Sequence, residues 1–379
     1  MKSEITAERN KVESLFCNII YILTVIGLFF VNRDPNEEIW IISVRMISFA
    51  YILILILLLL SLRLHFSHKE LIIIMFLFVV SVLISFAGSR GILHFALLAI
   101  YMGVAFFVVK RKASLNKRMV NISLLLIFIS FVIQLSTFRF HARPVLSIID
   151  PNFSGFYIFL VFLLCRKMNM KMMSYVFLFM GALTLSRNFY LAVFVFFLFT
   201  HMKKLCFFFL KLKFVNVVIF SHVALLIMGF YFVLTFDDQI YYDQTLSRIA
   251  QVEDRANFYR FSANIFFWHD LLNSPFDSFY GREVEEYAEN VFAVVPHNVL
   301  FKTIMSYGLF VGIVYLLCMF YLFKLNYSVM NMPYIISLLM YFLFLGAGAV
   351  NLDLVFIFII LSINSKDVLH FNRRKYVLK

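Results

Sequence analysis

Two kinds of side chain here could do chemistry: the histidines His297 and His141, and the arginines Arg139, Arg143, Arg187, Arg255 and Arg260. An imidazole with an ordinary pKa of about 6.5 can take up a proton at neutral pH. A guanidinium stays charged and forms planar, paired hydrogen bonds to phosphate oxygens, so a cluster of arginines suits an anionic, phosphate-bearing ligand. On residue type alone His297 reads first as a structural or capping histidine, and the arginines read equally as side chains reaching for lipid headgroups. Acids at metal-ligand spacing are missing: there is no D-x-D and no EF-hand pattern, and Glu283, Glu285, Glu286 and Glu289 read best as a solvated helix face. No metal and no cofactor is expected.

These residues need elements to hold them, and composition says what kind. Of 379 residues, 63% are apolar and only 15% charged, and the mean hydropathy is +0.91. Water cannot be the main solvent of such a chain. A hydrocarbon core about 30 Å thick is crossed by roughly twenty apolar residues in a helix. Runs near that length occur at 15–32, 46–62, 71–87, 91–109, 120–137, 154–165, 172–185, 188–200, 214–235, 298–323, 333–347 and 350–363. The expected fold is therefore all-α, a polytopic integral membrane protein with about twelve transmembrane helices forming one membrane domain over 1–379. The first run follows acids as well as bases and precedes no small-residue cleavage site, so it is expected to be a retained helix.

The net charge of +13 sits in short loops, where it reports orientation and not nucleic-acid binding. Alternate loops hold Lys110, Arg111, Lys112, Lys117 and Arg118, then Arg166, Lys167 and Lys171, then Lys203, Lys204, Lys211 and Lys213, then Arg373, Arg374 and Lys375. The positive-inside rule puts that set, and both termini, in the cytoplasm. The outer loops carry Arg33, Arg45, Arg90, Arg248 and Arg282 besides the arginines above, with Lys302 almost alone as lysine. Cys17, Cys165, Cys206 and Cys318 lie in or beside apolar runs at no ligand spacing, so neither a disulfide nor a zinc site is expected.

The longest outer loop, 236–296, holds eleven acidic residues against four arginines and is too long for a passive connector. Within it Phe258, Phe261, Ile265, Trp268 and Leu272 recur at spacings of three and four. That stripe predicts an amphipathic helix lying on the membrane surface, either a plain lid or a cover for a groove that opens to the bilayer.

Three outer segments carry a resemblance. They are DPNFSGFYIFLVFLL from Asp150, LTLSRNFYLAVFVFFL with Thr184, Ser186 and Arg187, and the stretch from Arg255 to PHNVLFKTIMSYGLFVG with His297, Asn298 and Gly308. In order and side these resemble the bacterial O-antigen polymerase and O-antigen ligase superfamily, over roughly the second half of the chain. The Gly-x-Gly that often follows the family's proline is here only Gly281, after a longer gap.

The resemblance implies a metal-independent glycosyltransferase of the bacterial inner membrane, working at its periplasmic face on an undecaprenyl-pyrophosphate-linked oligosaccharide. His297 would be the catalytic base. Arg187, Arg255, Arg260, Arg143 and Arg139 would hold the pyrophosphate, and Asn298, Asn152 and His141 would contact substrate. Asn351 and Asp353 are candidates for sugar hydroxyls or for a turn and a cap. A polymerase extending lipid-linked repeat units is the first expectation and a ligase delivering glycan to lipid A-core the second. Partners implied are the bilayer, a chain-length regulator and a flippase. A flippase or other transporter is the rival of a different class, although it should show ionisable residues at mid-membrane and related halves.

Overall fold

The computed structural model describes residues 2–30, 46–54, scattered helical positions between 72 and 83, 92–112, 115–136, 151–235, 255–273, 298–344 and 352–363. Among them all regular structure is helical. The helices are α1 (Lys2–Phe29), α2 (Ile92–Arg111), α3 (Lys117–Ser136), α4 (Pro151–Lys167), α5 (Lys171–Leu183), α6 (Arg187–His201), α7 (Lys203–Lys211), α8 (Phe214–Thr235), α9 (Arg255–Asn273), α10 (Val299–Tyr307), α11 (Leu309–Leu325), α12 (Met332–Phe344) and α13 (Leu352–Ser362).

Three of these, within α1, α3 and α8, are long and apolar enough to cross a membrane. A fourth counts if α6 and α7 are taken as one broken span. Their outward faces are apolar: Leu125, Ile129 and Ile133 on α3, and Ile219, Phe220, Ile227 and Leu234 on α8, are all exposed. A soluble helix turns charge outward, so these faces are built for a hydrocarbon solvent.

Helices that are apolar all round are buried. α13 is one, enclosed along its length except at Asp353, and α4 is another, with every residue from Phe156 to Cys165 buried. α13 packs against α2, α1 and α4; α4 packs in turn against α5 and α6, and α6 against α12. Aromatic rings fill the layer between them, as where Tyr341 meets Phe156 and Phe159 at 4.9 and 5.3 Å between centroids.

Basic loops collect at one end of this bundle. Arg111 pairs with Glu13 at 3.0 Å, and Asn116 N–H donates to Asn18 Oδ1 at 2.8 Å, joining the α2–α3 loop to α1. At the same end Lys167 is buried, donating to Asn331 Oδ1 and lying 4.9 Å over the Tyr334 ring. Asn331 Nδ2 donates to the carbonyls of Asn326 and, in α13, Leu361. Tyr327 donates to Phe209 O at 2.7 Å and so draws in α7, which turns 94° from α6 and carries Lys203, Lys204 and Lys211. Three of the loops singled out as one basic set thus share one end, which follows from helices that alternate in direction.

One sequence expectation is corrected. The run 298–323 is not one span. Gly308 breaks it at φ 81° and ψ 161°, a conformation that suits only glycine. α10 then folds onto α11: a Cβ added to Gly312 would meet the Ile304 Cα at 2.9 Å. Gly308→Ala should therefore cost about 1–3 kcal/mol of stability, visible as a lowered melting temperature of the detergent-solubilised protein; an unchanged melt would mean the break is not required.

The helix expected within 236–296 is present as α9, and it runs back along α8. Phe261 sits over Gly229, while Phe267 and Trp268, a turn or two further on, meet Phe301, which touches His222, seven residues earlier on α8. Advance along one helix is retreat along the other, so the pair is antiparallel. Of its apolar stripe, Phe258, Phe261 and Ile265 are half-buried, whereas Trp268 and Leu272 stay exposed; the fully buried positions are Ala263, Asn264 and Phe267.

Candidate functional site

Two of the three motif segments meet at the end of the bundle opposite the basic loops. α5 is four residues shorter than α4, so the turn that follows it, Thr184 to Ser186, reaches only as far as Gly155. That point is one turn inside the start of α4, roughly 6 Å below it. Leu185 takes φ 50° to close this turn, unusual for a branched, bulky side chain. Thr184 Oγ1 donates to Gly181 O at 2.7 Å and Tyr190 OH to Ala182 O at 2.7 Å, tying both ends of the turn to α5.

The fit at Gly155 is close. A Cβ there would stand 3.0 Å from Ser186 Cβ and 3.1 Å from Thr184 Oγ1. Small residues allow two membrane helices to approach in this way. Gly155→Val should push the turn outward at a cost of about 1–3 kcal/mol and disable whatever function the turn serves, with Gly155→Ala milder. Equal activity in both variants at equal abundance would show that this packing does not position the turn.

Ser186 occupies the position before α6, where a serine ordinarily accepts from a backbone N–H one turn on. It makes no such cap. Its hydroxyl is fully buried and hydrogen-bonded to nothing, facing the α4 start. Arg187, next in the chain, is half-buried at the first turn of α6, and Asn152 is half-buried in the first turn of α4. Asn152 and Arg187 therefore belong to one corner, formed by two helix N-termini, where the backbone dipoles favour an anion.

A second corner, built by α8, α9 and α10, holds Asn298. Asn298 is fully buried and caps α10: its Oδ1 accepts from Leu300 N–H at 2.9 Å and reaches Phe301 N–H at 3.5 Å. Arg260 is half-buried on α9, and Arg255 is the first residue of that helix, its side chain beyond what is described. α12 lies between the two corners, packing against α6 on one side and α8 and α10 on the other. His297, directly before Asn298, lies outside the described residues, as do Arg139, His141, Arg143 and Asn351. Asp353 is half-buried at the first turn of α13.

Beside the second corner, α8 and α9 enclose an apolar groove of about 450 Å³, lined by Leu226, Phe230, Tyr231 and Leu234 on one side and Ile265 and Trp268 on the other. Among the described residues no group of histidine, cysteine and acidic side chains could hold a metal ion, and the four cysteines are buried and unbridged.

One polar residue escaped the sequence reading. His222, within α8, stands against Asn298 and Phe301. Its signal was its isolation: it is the only histidine, lysine, arginine or acid in a helix of 22 residues, and an ionisable side chain inside an apolar span is a functional candidate by default. Compared with protein-family models, with curated proteins and with solved structures, the chain matches none.

Proposed function

We propose that this chain is a surface-polysaccharide polymerase of the bacterial inner membrane. It would span the bilayer about twelve times and move a growing glycan from undecaprenyl pyrophosphate to the sugar of a new lipid-linked repeat unit. The observation that carries the reading is the convergence of two separate motif segments, Asn152 to Gly155 and Thr184 to Arg187, on one recessed corner away from the basic end. The basic end faces the cytoplasm by the positive-inside rule, so the corner opens to the periplasm.

The division of labour follows from side-chain chemistry. Departure of the pyrophosphate builds negative charge, which Arg187, with Arg255, Arg260, Arg143 and Arg139, would bind without a metal ion. The acceptor hydroxyl must lose its proton as it attacks the anomeric carbon, and His297 would take it. Asn298, Asn152 and His141 would orient sugar or phosphate oxygens. The groove between α8 and α9 gives the isoprenoid tail a path that stays in lipid while its headgroup reaches the arginines.

The test is a gel profile of surface glycan and lipid-linked intermediates from a deletion strain, with and without the wild-type gene. Loss of the ladder, leaving glycan of one repeat, supports the polymerase. Long carrier-linked chains beside a bare acceptor core would instead identify a ligase, and unpolymerised intermediates trapped on the cytoplasmic side a flippase. An unchanged profile removes all three.

A further inference from the structure

α7 lies across the basic end of the bundle. α6, packed along α4 and α12, ends there at His201, and α7 turns 94° from it. Just past the end of α7, at Phe214, α8 sets off as a helix long enough to cross a membrane. α7 therefore occupies the level where one apolar helix stops and the next starts, which in a bilayer is the headgroup boundary.

The rotation of α7 about its own axis is fixed from within. Cys206 is buried, and its thiol donates to Phe199 O at 3.0 Å. The Phe209 ring meets Phe199 edge-on, 5.2 Å between centroids, and the Phe209 carbonyl accepts from Tyr327. With Leu205, Phe209 and Leu210 half-buried beside Cys206, the opposite side of the helix is turned outward. It carries Lys203, Lys204 and Lys211, with Lys213 just beyond, and among them Phe207 and Phe208, all exposed. Lys204 and Lys211 are close to two full turns apart, so they stand in one line about 10 Å apart along the helix axis.

That outward side suits neither bulk solvent. Water does not select two bare phenyl rings, and hydrocarbon does not accept a row of ammonium groups. The layer between the two takes both, since rings reach the acyl chains while lysine stems carry their charges to the phosphates. The charge is also of one sign: from Pro151 to Thr235, the whole run of α4 to α8, the sequence holds no acidic residue. A patch of lysines on helices without acids has an anion as its complement, and the phenylalanines place that anion at the surface of a lipid leaflet.

We propose that α7 is an interfacial helix that binds the anionic phospholipids of its leaflet, Lys204 and Lys211, with Lys203 and Lys213, holding headgroup phosphates while Phe207 and Phe208 insert beside the acyl chains. The leaflet is the cytoplasmic one on the orientation proposed above, and the contact with lipid does not rest on the glycosyl-transfer reading. A basic side chain close to an anionic surface strengthens binding about fivefold. The lysines of one patch should therefore give a preference for anionic over zwitterionic lipid that disappears when they are neutralised.

The test uses the full-length protein with Trp40→Phe and Trp268→Phe, so that Phe208→Trp supplies its sole tryptophan. It is reconstituted in phosphatidylcholine vesicles containing either brominated phosphatidylglycerol or brominated phosphatidylcholine. Both brominated lipids should quench the fluorescence, phosphatidylglycerol binding about fivefold more tightly. Lys203→Gln, Lys204→Gln and Lys211→Gln together should make the two lipids equal. Lys112→Gln, Lys117→Gln and Arg118→Gln, which remove as much charge from the ends of α2 and α3 at the same end of the bundle, should leave the preference in place. A tryptophan that neither lipid quenches overturns the proposal, and is the result expected if α7 faces water or an acidic protein partner. Equal quenching before any lysine is changed, or loss of the preference in the α2–α3 variant, overturns anionic binding by α7.

A second measurement needs no tryptophan replacement. Wild-type protein extracted in mild detergent and exposed to equal amounts of phosphatidylglycerol and phosphatidylcholine should retain more of the former, counted by mass, than the triple α7 variant does; equal retention overturns the proposal. Neither readout involves glycan, so a deletion strain with an unchanged glycan profile would remove the polymerase reading and leave the lipid contact standing.

Discussion

His297→Ala, produced at wild-type abundance, is expected to leave the deletion strain without its glycan ladder, with single-repeat material in its place. A positioned base contributes roughly a hundredfold to ten-thousandfold to a proton-transfer step, and a loss of that size cannot be made up by slower growth of the chain. The neighbouring Asn298 provides the contrast. Its amide caps α10, and Asn298→Ala should cost about 1 kcal/mol of stability through the lost cap, with a lowered melting temperature accompanying any loss of activity. His297→Ala should lose activity with its melting temperature unchanged. A complete ladder from His297→Ala would remove the base from the scheme and leave His297 as a structural neighbour of the cap.

Arg187→Lys is expected to fail almost as badly as Arg187→Ala, at least tenfold below wild type in ladder material. The reasoning is geometric. Arg187 opens α6 beside the buried Ser186, in a corner recessed behind the start of α4. A guanidinium there can place two parallel N–H groups on a pyrophosphate, and hydrogen bonds to charged groups are worth about 1.5–3 kcal/mol each. Lysine restores the charge as a compact point but not the planar fork. If Arg187 merely reached for lipid headgroups, lysine would serve equally well. Full complementation by Arg187→Lys would therefore show that the fork is not used.

The sequence was most informative where one physical force dominates. Solvent preference decides the helical architecture, and runs such as 214–235 appear as α8 (Phe214–Thr235) because hydrocarbon leaves a backbone no other way to satisfy itself. Charge placement was equally readable: the loops at 110–118, 166–171 and 203–213 lie at one end of the bundle, as their lysines implied. Within the site, the nearness of Gly155 to Thr184 and Ser186 could be suspected only from the order of the motifs, since nothing in either segment names the other.

What was not legible depends on which neighbour an element finds. The stripe Phe261, Ile265 and Trp268 marks an apolar face, but periodicity does not say whether lipid or α8 will cover it. The run from 298 to 323 is apolar throughout and so looks continuous. Only the backbone reveals that Gly308 turns it, although glycines at 308 and 312, four apart in a span otherwise built of larger residues, were a usable hint. His222 was passed over because one polar residue barely changes the hydropathy of its helix, however much it changes the polar contacts available at Asn298.

The enclosure of α13 also bears on how the protein is made. α13 follows α1, α2 and α4 in the chain, yet it is the helix those three close around, with Gly27 of α1 lying against Leu352. A ribosome makes α1, α2 and α4 well before α13 exists, so until residue 352 has emerged their facing apolar surfaces lack the helix that covers them. The corner at Gly155 and Ser186 therefore acquires its final backing only when α13 packs behind α4, and a nascent chain halted before that point carries both motif segments without the wall that holds them.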